Sequence, residues 1–84
     1  MGREMRALIG AYIMVQTHVG TGTDVSKRAA TIDGVTFAEN VTGPYDVIVK
    51  AEAPDIRELG VRVLRPLQGI EGVVRTMTCP IINR

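Results

Sequence analysis

The 84-residue sequence predicts an α+β domain of order βαββαβ, with an antiparallel four-stranded sheet and two helices on one of its faces. An internal repeat is the first indication. Residues 11–17 (AYIMVQT) resemble residues 44–50 (PYDVIVK), and residues 32–35 (IDGV) resemble residues 70–73 (IEGV). The second indication is the hydrophobic pattern, which predicts a strand, a polar break, a helix and a further strand in each half of the chain.

The first half begins with a strand and a short helix. Residues 8–17 are rich in β-branched and aromatic side chains, which favour a strand. The polar segment 20–23 (GTGT) breaks that strand, and we expect Thr23 or Asp24 to cap the following helix. The apolar face of this helix has spacings of four and three and would consist of Val25, Ala29 and Ile32.

The centre of the chain contains two further strands. Gly34 is expected to end the first helix, since glycine is the usual residue just beyond a helix. Residues 35–42 then form the second strand. The turn at Gly43 and Pro44 leads into a third strand over residues 45–52.

The second half ends with a longer helix and a last strand. Pro54 and Asp55 open that helix. Pro66 removes a backbone donor within it, so the helix either kinks or ends just before this residue. Residues 72–79 form the last strand, and Pro80 weakens its continuation. The apolar face of the helix would consist of Ile56, Leu59, Val63 and Leu67.

This order of elements is the ferredoxin-like arrangement. The first strand adds a prediction about assembly, because both of its faces are apolar, whereas a strand with one solvated face alternates. Two helices cover only one side of the sheet. We therefore expect the other side to meet a second subunit. The two faces are Leu8, Gly10, Tyr12 and Met14 on one side and Ile9, Ala11, Ile13 and Val15 on the other.

A set of short motifs occurs in a fixed order along the chain: IDGV (32–35), TGPYD (42–46), VIVK (47–50), Asp55, IEGV (70–73) and TMT (76–78). Together they resemble the ligand-binding domain of the Lrp/AsnC transcription regulators, also called the RAM domain. The resemblance covers residues 8–82 and leaves residues 1–7 as an N-terminal extension. It implies a homodimer formed through the sheets and a higher oligomer, an octamer or decamer ring, with amino-acid effectors bound between dimers.

The resemblance also implies ligand-binding residues, namely Gly43, Tyr45, Asp46, Thr76 and Thr78. A free amino acid carries an ammonium group, which the Asp46 carboxylate would accept in a charge-assisted hydrogen bond. Backbone N–H groups near Gly43 and the two threonine hydroxyls would serve its carboxylate, and Tyr45 would supply an apolar wall. The alternative is structural: Asp46 accepts hydrogen bonds from amides of the turn, and Tyr45 packs at a subunit interface.

Direct DNA binding is not expected. Only seven residues precede the first predicted strand, which leaves no room for the helix-turn-helix of the family. The formal net charge is +1, from 10 Lys and Arg against 9 Asp and Glu, and the two signs are interleaved. The sequence thus predicts a stand-alone, non-enzymatic domain that modulates full-length regulators of the same family.

No combination of residues indicates catalysis, a metal site or a cofactor. His18 is interpreted as a surface-loop histidine, and the single cysteine, Cys79, as a buried packing residue. No apolar run reaches the roughly 18 residues of a membrane span, and no secretory signal is present, so a cytoplasmic location is expected.

Two alternative functions stay open: a ferredoxin-like dimeric α/β-barrel enzyme, such as a monooxygenase, and a structural ring former without a ligand. The enzyme is disfavoured because its pocket would need aromatic or polar residues, and the sequence has no Trp and only one Phe and one His.

Overall fold

A computed structural model describes residues 8–82, and the predicted ferredoxin-like order is confirmed. All neighbouring strands are antiparallel, and the order across the sheet is β2-β3-β1-β4. Residues 1–7, the predicted N-terminal extension, lie outside the described residues. The strands are β1 (Ile9–Thr17), β2 (Val35–Asn40), β3 (Val47–Ala53) and β4 (Val73–Pro80). Helix α1 spans Gly22–Ala29. Helix α2 consists of three consecutive segments, α-helical Ile56–Leu59, π-helical Gly60–Leu64 and α-helical Arg65–Gln68.

The hydrophobic core lies between the sheet and the two helices. Each fully buried Val, Leu or Ile contributes about 1.5–3 kcal/mol through removal of its apolar surface from water. The predicted face of α2 is confirmed for three of its four residues, whereas Ile56, at the start of the helix, is exposed. The core residues are Ala11, Ile13 and Val15 of β1, Val47, Val49, Ala51 and Ala53 of β3, Val25 and Ala29 of α1, and Leu59, Val63 and Leu67 of α2.

Helix α1 begins earlier than the sequence suggested. The residue before it is Thr21, so the predicted caps Thr23 and Asp24 lie inside its first turn. A tight turn after β1 causes this shift, because the N–H and the hydroxyl of Thr21 both donate to the carbonyl of His18, at 3.1 and 2.8 Å. The Thr21 side chain makes no capping hydrogen bond to the helix. The prediction that Thr23 or Asp24 caps α1 is therefore wrong.

Gly34 has a different role from the predicted one. Helix α1 already ends at Ala29, and Gly34 lies in the connection to β2 with a φ angle of +102°. A Cβ at this position would lie 3.0 Å from Cγ2 of Val63 and 3.1 Å from the carbonyl oxygen of Glu52. Glycine is therefore required by the backbone conformation and by the close approach of α2 and β3.

The second and third strands are shorter than predicted at the ends that are joined by the loop between them. Strand β2 ends at Asn40, and β3 begins at Val47, so Tyr45 and Asp46 precede the strand in which the sequence placed them. The N–H of Val41 donates to the carbonyl of Asp46 at 2.9 Å and closes the intervening loop.

Helix α2 continues through its proline. The Asp55 side chain accepts a hydrogen bond from the N–H of Glu58 at 2.8 Å and caps the helix, as predicted for its start. The π-helical turn then widens the backbone, and the N–H of Arg65 bonds to the carbonyl of Gly60. Pro66 follows this turn as part of the first turn of the last α-helical segment, where its missing N–H is tolerated. The helix thus does not end before Pro66.

The face of the sheet opposite the helices, the open sheet face, has an apolar centre. Tyr12, Phe37 and Met77 are exposed on it, and Met14 and Ile48 are half-buried. Cys79, paired with Tyr12, is also exposed, because no layer covers β4 on this side; the expectation that Cys79 is buried was wrong. Within the described part of the chain, no helix is long and apolar enough to cross a membrane.

A candidate ligand-binding cleft

A cleft of about 360 Å³ opens at one end of the sheet. The antiparallel topology creates it, because β1 and β2 end here, β3 begins here, and α1 starts directly above them. Its lining is mainly polar and consists of Thr17, His18, Val19, Gly20, Gly22, Thr23, Asn40, Val41 and Asp46.

Asp46 connects the β2–β3 loop to the end of β1. One carboxylate oxygen, Oδ2, accepts hydrogen bonds from the N–H of Thr17 at 2.8 Å and from its hydroxyl at 3.2 Å. The Asp46 N–H donates to the carbonyl of Val15 at 2.9 Å. Oδ1 has no hydrogen-bond partner among the described residues. The carboxylate thus stabilises the fold through a neighbouring strand and retains acceptor capacity toward the cleft.

Gly22, the first residue of α1, lies close to the polar side chains of the cleft. A Cβ at this position would lie 3.1 Å from the terminal amide of Asn40, 3.7 Å from Oγ1 of Thr17 and 4.0 Å from Cβ of Asp46. The N–H groups of the first turn of α1 have no intrahelical partner and form the positive end of the helix dipole. The cleft therefore offers acceptors and donors within one small volume.

The residues predicted on the β2–β3 side lie in three different environments. Asp46 lines the cleft. Gly43 lies in the loop before it, with a φ angle of +141°, and a Cβ added there would meet no atom within 4 Å. Tyr45 extends over the open sheet face, where its hydroxyl lies 3.7 Å from the sulfur of Met77.

The two predicted threonines lie beneath the end of α2. Thr76 and Thr78 pair with Val15 and Ile13, which places them on the helix-covered face of β4. The hydroxyl of Thr76 accepts a hydrogen bond from Nε2 of Gln68 at 3.0 Å. One protomer thus places Gly43 and Asp46 near each other but does not bring all five predicted residues together.

Four polar residues of the cleft were missed by the sequence reasoning: Thr17, His18, Thr23 and Asn40. His18 is exposed, as expected for a surface-loop histidine. A signal was available, since all four lie where a predicted strand ends or the following helix starts, and the βαββαβ topology places those points at the same end of the sheet as Asp46. Among residues 8–82, no three His, Cys, Asp or Glu side chains cluster in a way that would hold a metal ion.

Comparison with known proteins identifies the family. The model of the Lrp/AsnC ligand-binding domain matches residues 10–84. The chain belongs to this family. A curated relative, a homocitrate synthase from Sulfolobus acidocaldarius, is 34% identical over 62 residues, which is 74% of this chain but only 13% of that enzyme. The chain thus spans a small part of the length of the curated relatives that it matches.

Solved structures confirm the Lrp/AsnC-type fold. A protein from Thermus thermophilus superposes with a TM-score of 0.83 at 26% identity, covering 90% of this chain and 95% of that one. A transcriptional regulator from Neisseria meningitidis, solved in complex with L-methionine, superposes with a TM-score of 0.76 at 18% identity, covering 89% of this chain and 50% of the regulator. The second likeness concerns the fold alone.

Proposed function

We propose that this Lrp/AsnC-type domain is a non-enzymatic, oligomeric regulatory domain that binds a free amino acid. The observation that carries the proposal is the mixed character of the cleft. Asp46 supplies a partly unoccupied carboxylate, and the first turn of α1 supplies N–H donors a few ångströms away. A zwitterionic amino acid needs acceptors for its ammonium group and donors for its carboxylate in one small volume.

The complete site, in this proposal, includes residues from a neighbouring copy. Tyr45, Thr76 and Thr78 lie away from the cleft within one protomer, on the open sheet face and beneath α2. An amino acid bound at a subunit boundary would contact Gly43 and Asp46 of one copy and these residues of another. The separation within one protomer is the reason to place the site at a subunit boundary.

The open sheet face supports the proposed assembly. It exposes Tyr12, Phe37 and Met77 around the half-buried Met14 and Ile48, and burial of such a surface drives association. We propose a homodimer formed through this face, which assembles further into an octamer or decamer ring.

The proposed biological role is to modulate full-length Lrp/AsnC-type regulators in the cytoplasm, without direct contact to nucleic acid or membrane. The near-neutral charge supports a role through protein contacts, since phosphate binding relies on clustered basic residues. Mixed assemblies with a full-length regulator would change the number of DNA-binding domains in a ring.

The proposal is tested by thermal shift and calorimetry with each proteinogenic L-amino acid, beginning with L-methionine. We expect at least one amino acid to raise the melting temperature, because a ligand that binds only the folded state stabilises it. Asp46→Asn removes the charge that holds the ammonium group and should abolish the shift. Asp55→Asn, which changes the same residue type at the cap of α2, is the matched control and should leave it intact. If no amino acid binds, the ring former without ligand is the better interpretation.

A second candidate function is regulation of a biosynthetic enzyme. It is favoured by the curated relatives, in which a stretch of a homocitrate synthase is 34% identical to this chain. The purified domain would then bind a homocitrate synthase from the same organism and change its rate in an amino-acid-dependent manner. A rate unaffected by the domain, with and without each amino acid, would exclude this candidate.

A further inference from the structure

Ser26 of α1 is a polar residue but is buried, with 6% of its surface exposed. Its hydroxyl oxygen lies 3.0 Å from the carbonyl of Thr23 and 2.7 Å from Oδ1 of Asn40. A hydroxyl has one hydrogen and cannot donate fully to both oxygens. One of the two contacts is therefore better satisfied if Ser26 accepts instead of donates.

The side-chain amide of Asn40 resolves this conflict. Its oxygen and nitrogen have nearly the same shape, so the hydrogen-bond network decides which is which. Exchanging them lets Ser26 donate to Thr23 and accept from the Asn40 nitrogen. The amide oxygen then lies at the position 3.1 Å from a Cβ on Gly22, next to the donor N–H groups at the start of α1.

With this orientation, three oxygen acceptors line the space of the cleft beside Gly22. Asp46 has a free carboxylate oxygen. Thr17 donates its hydroxyl hydrogen to Asp46, which leaves the lone pairs of its oxygen available. Asn40 supplies the amide oxygen. A primary ammonium group has three N–H donors, and these three acceptors match it in number.

We propose that this space is the ammonium subsite of the amino-acid site, that Asn40 is one of its ligand-binding residues, and that Ser26 is the residue that positions Asn40. The inference rests on the proposed function and deepens it, since it assigns one end of the bound amino acid to named atoms of β1, β2 and the β2–β3 loop. The ligand's carboxylate then points toward the first turn of α1. A side chain at Gly22 would press against the Asn40 amide, which lies 3.1 Å from a Cβ at this position, and would displace it from the subsite.

A compound series tests which group of the ligand the subsite recognises. The probes are the amino acid that binds most tightly, its N-acetyl derivative and its carboxamide, measured by calorimetry on the wild-type chain. Acetylation removes the charge and should weaken binding by at least about tenfold, the loss of one charge-assisted hydrogen bond. The carboxamide keeps its ammonium group and should be affected less than the N-acetyl derivative. Equal binding of the free acid and the N-acetyl derivative would overturn the subsite but not amino-acid binding. If no free amino acid binds, the proposed function fails, and the subsite with it.

Variants of Asn40 test its role, because the assignment predicts for each substitution whether the affinity for the free amino acid falls. In Asn40→Asp the new carboxylate presents only acceptors, so the free amino acid should bind at least as tightly as to wild type. Asn40→Leu should weaken binding by about tenfold. Weaker binding in Asn40→Asp would mean that the amide donates to the ligand's carboxylate, which overturns the assignment.

Gly22→Ala separates ligand binding from folding. Alanine favours a helix more than glycine does, but its Cβ would press on the Asn40 amide at 3.1 Å, so the two effects on the melting temperature without ligand oppose each other, whereas the affinity should fall by at least about tenfold. Gly60→Ala is the matched control, because its Cβ would meet no atom within 4 Å, and its affinity should equal that of wild type. Unchanged affinity in Gly22→Ala would overturn the proposal.

Ser26→Ala tests whether Ser26 positions Asn40. The readout is the ratio of the affinities for the free amino acid and its N-acetyl derivative, which general destabilisation does not change. Without Ser26, Asn40 is no longer oriented, so the preference for the free acid over the N-acetyl derivative should decrease. An unchanged preference would show that Ser26 has only a structural role and would remove it from the proposal.

Discussion

At the scale of single residues, Asp46 has the structural role that the sequence presented as one alternative, and it lines the cleft in which we propose the ligand-binding role. Its Oδ2 accepts hydrogen bonds from the backbone N–H and the hydroxyl of Thr17, and its Oδ1 has no partner among the described residues. The family resemblance singled out this carboxylate, and in the internal repeat Asp46 corresponds to Ile13, a buried apolar residue of β1. Its partner was not predictable, since Thr17 is 29 positions away and only the tertiary structure brings the two together.

Asp46→Ala should lower the free energy of unfolding by about 1–3 kcal/mol, because the half-buried N–H of Thr17 loses its acceptor. Urea denaturation of the chain without ligand measures this change. Asp46→Asn is the control, since its amide oxygen still accepts from Thr17, and its loss should be less than about half as large. Equal stability of wild type and Asp46→Ala would contradict the structural role.

At the scale of elements, the strands and the face of α2 followed from periodicity, whereas the ends of α1 and the fate of Pro66 did not. Periodicity reports which side of an element meets the core, and that determined Leu59, Val63 and Leu67 correctly. The start of α1 depends on a turn that binds the carbonyl of His18, and the continuity of α2 depends on a π turn before Pro66. Neither hydrogen-bond pattern has a clear signature in the residues themselves.

Gly34→Ala should destabilise the chain by roughly 1–3 kcal/mol, the usual cost of a strained backbone conformation for a residue with a Cβ. The contact with Val63 and with the carbonyl of Glu52 adds to this cost. Thermal and urea unfolding measure it. The double variant Gly34→Ala/Val63→Ala separates the cost of the backbone conformation from the cost of the contact with the Val63 side chain. If the side-chain contact dominated, the second substitution would recover stability. We expect a further loss of stability instead, because the positive φ angle and the backbone contact remain and a buried valine is truncated.

At the scale of the whole molecule, the open sheet face is the surface through which we expect two copies to associate. Its residues come from β1, β2, β3 and β4, and it carries Lys50, whose Nζ lies 5.9 Å from the centre of the Tyr12 ring. The sequence indicated an apolar second face from β1 alone. The structure adds the contributions of Phe37, Ile48 and Met77, which join the surface only through strand pairing.

Met77→Glu should dissociate the dimer, because two copies related by symmetry would bury like charges close together; the dissociation constant should rise by about a hundredfold or more. Light scattering coupled to size exclusion measures the mass. Val61→Glu, an equally exposed apolar position on α2, is the control and should retain the dimer. A Met77→Glu variant that associates like wild type would place the dimer interface elsewhere.

The sequence by itself determined the order of elements, the core face of each and the apolar second face of β1, and it singled out Asp46 as a candidate ligand-binding residue. These properties depend on periodicity and on residue chemistry, both of which are local along the chain. Only the tertiary structure decided that Asn40, Thr17 and Gly22 meet Asp46 in one cleft, and that Tyr45, Thr76 and Thr78 lie apart from it. The reason is physical: a site formed by the ends of three elements depends on strand register and on where each element stops, and those are set by long-range hydrogen bonds and packing.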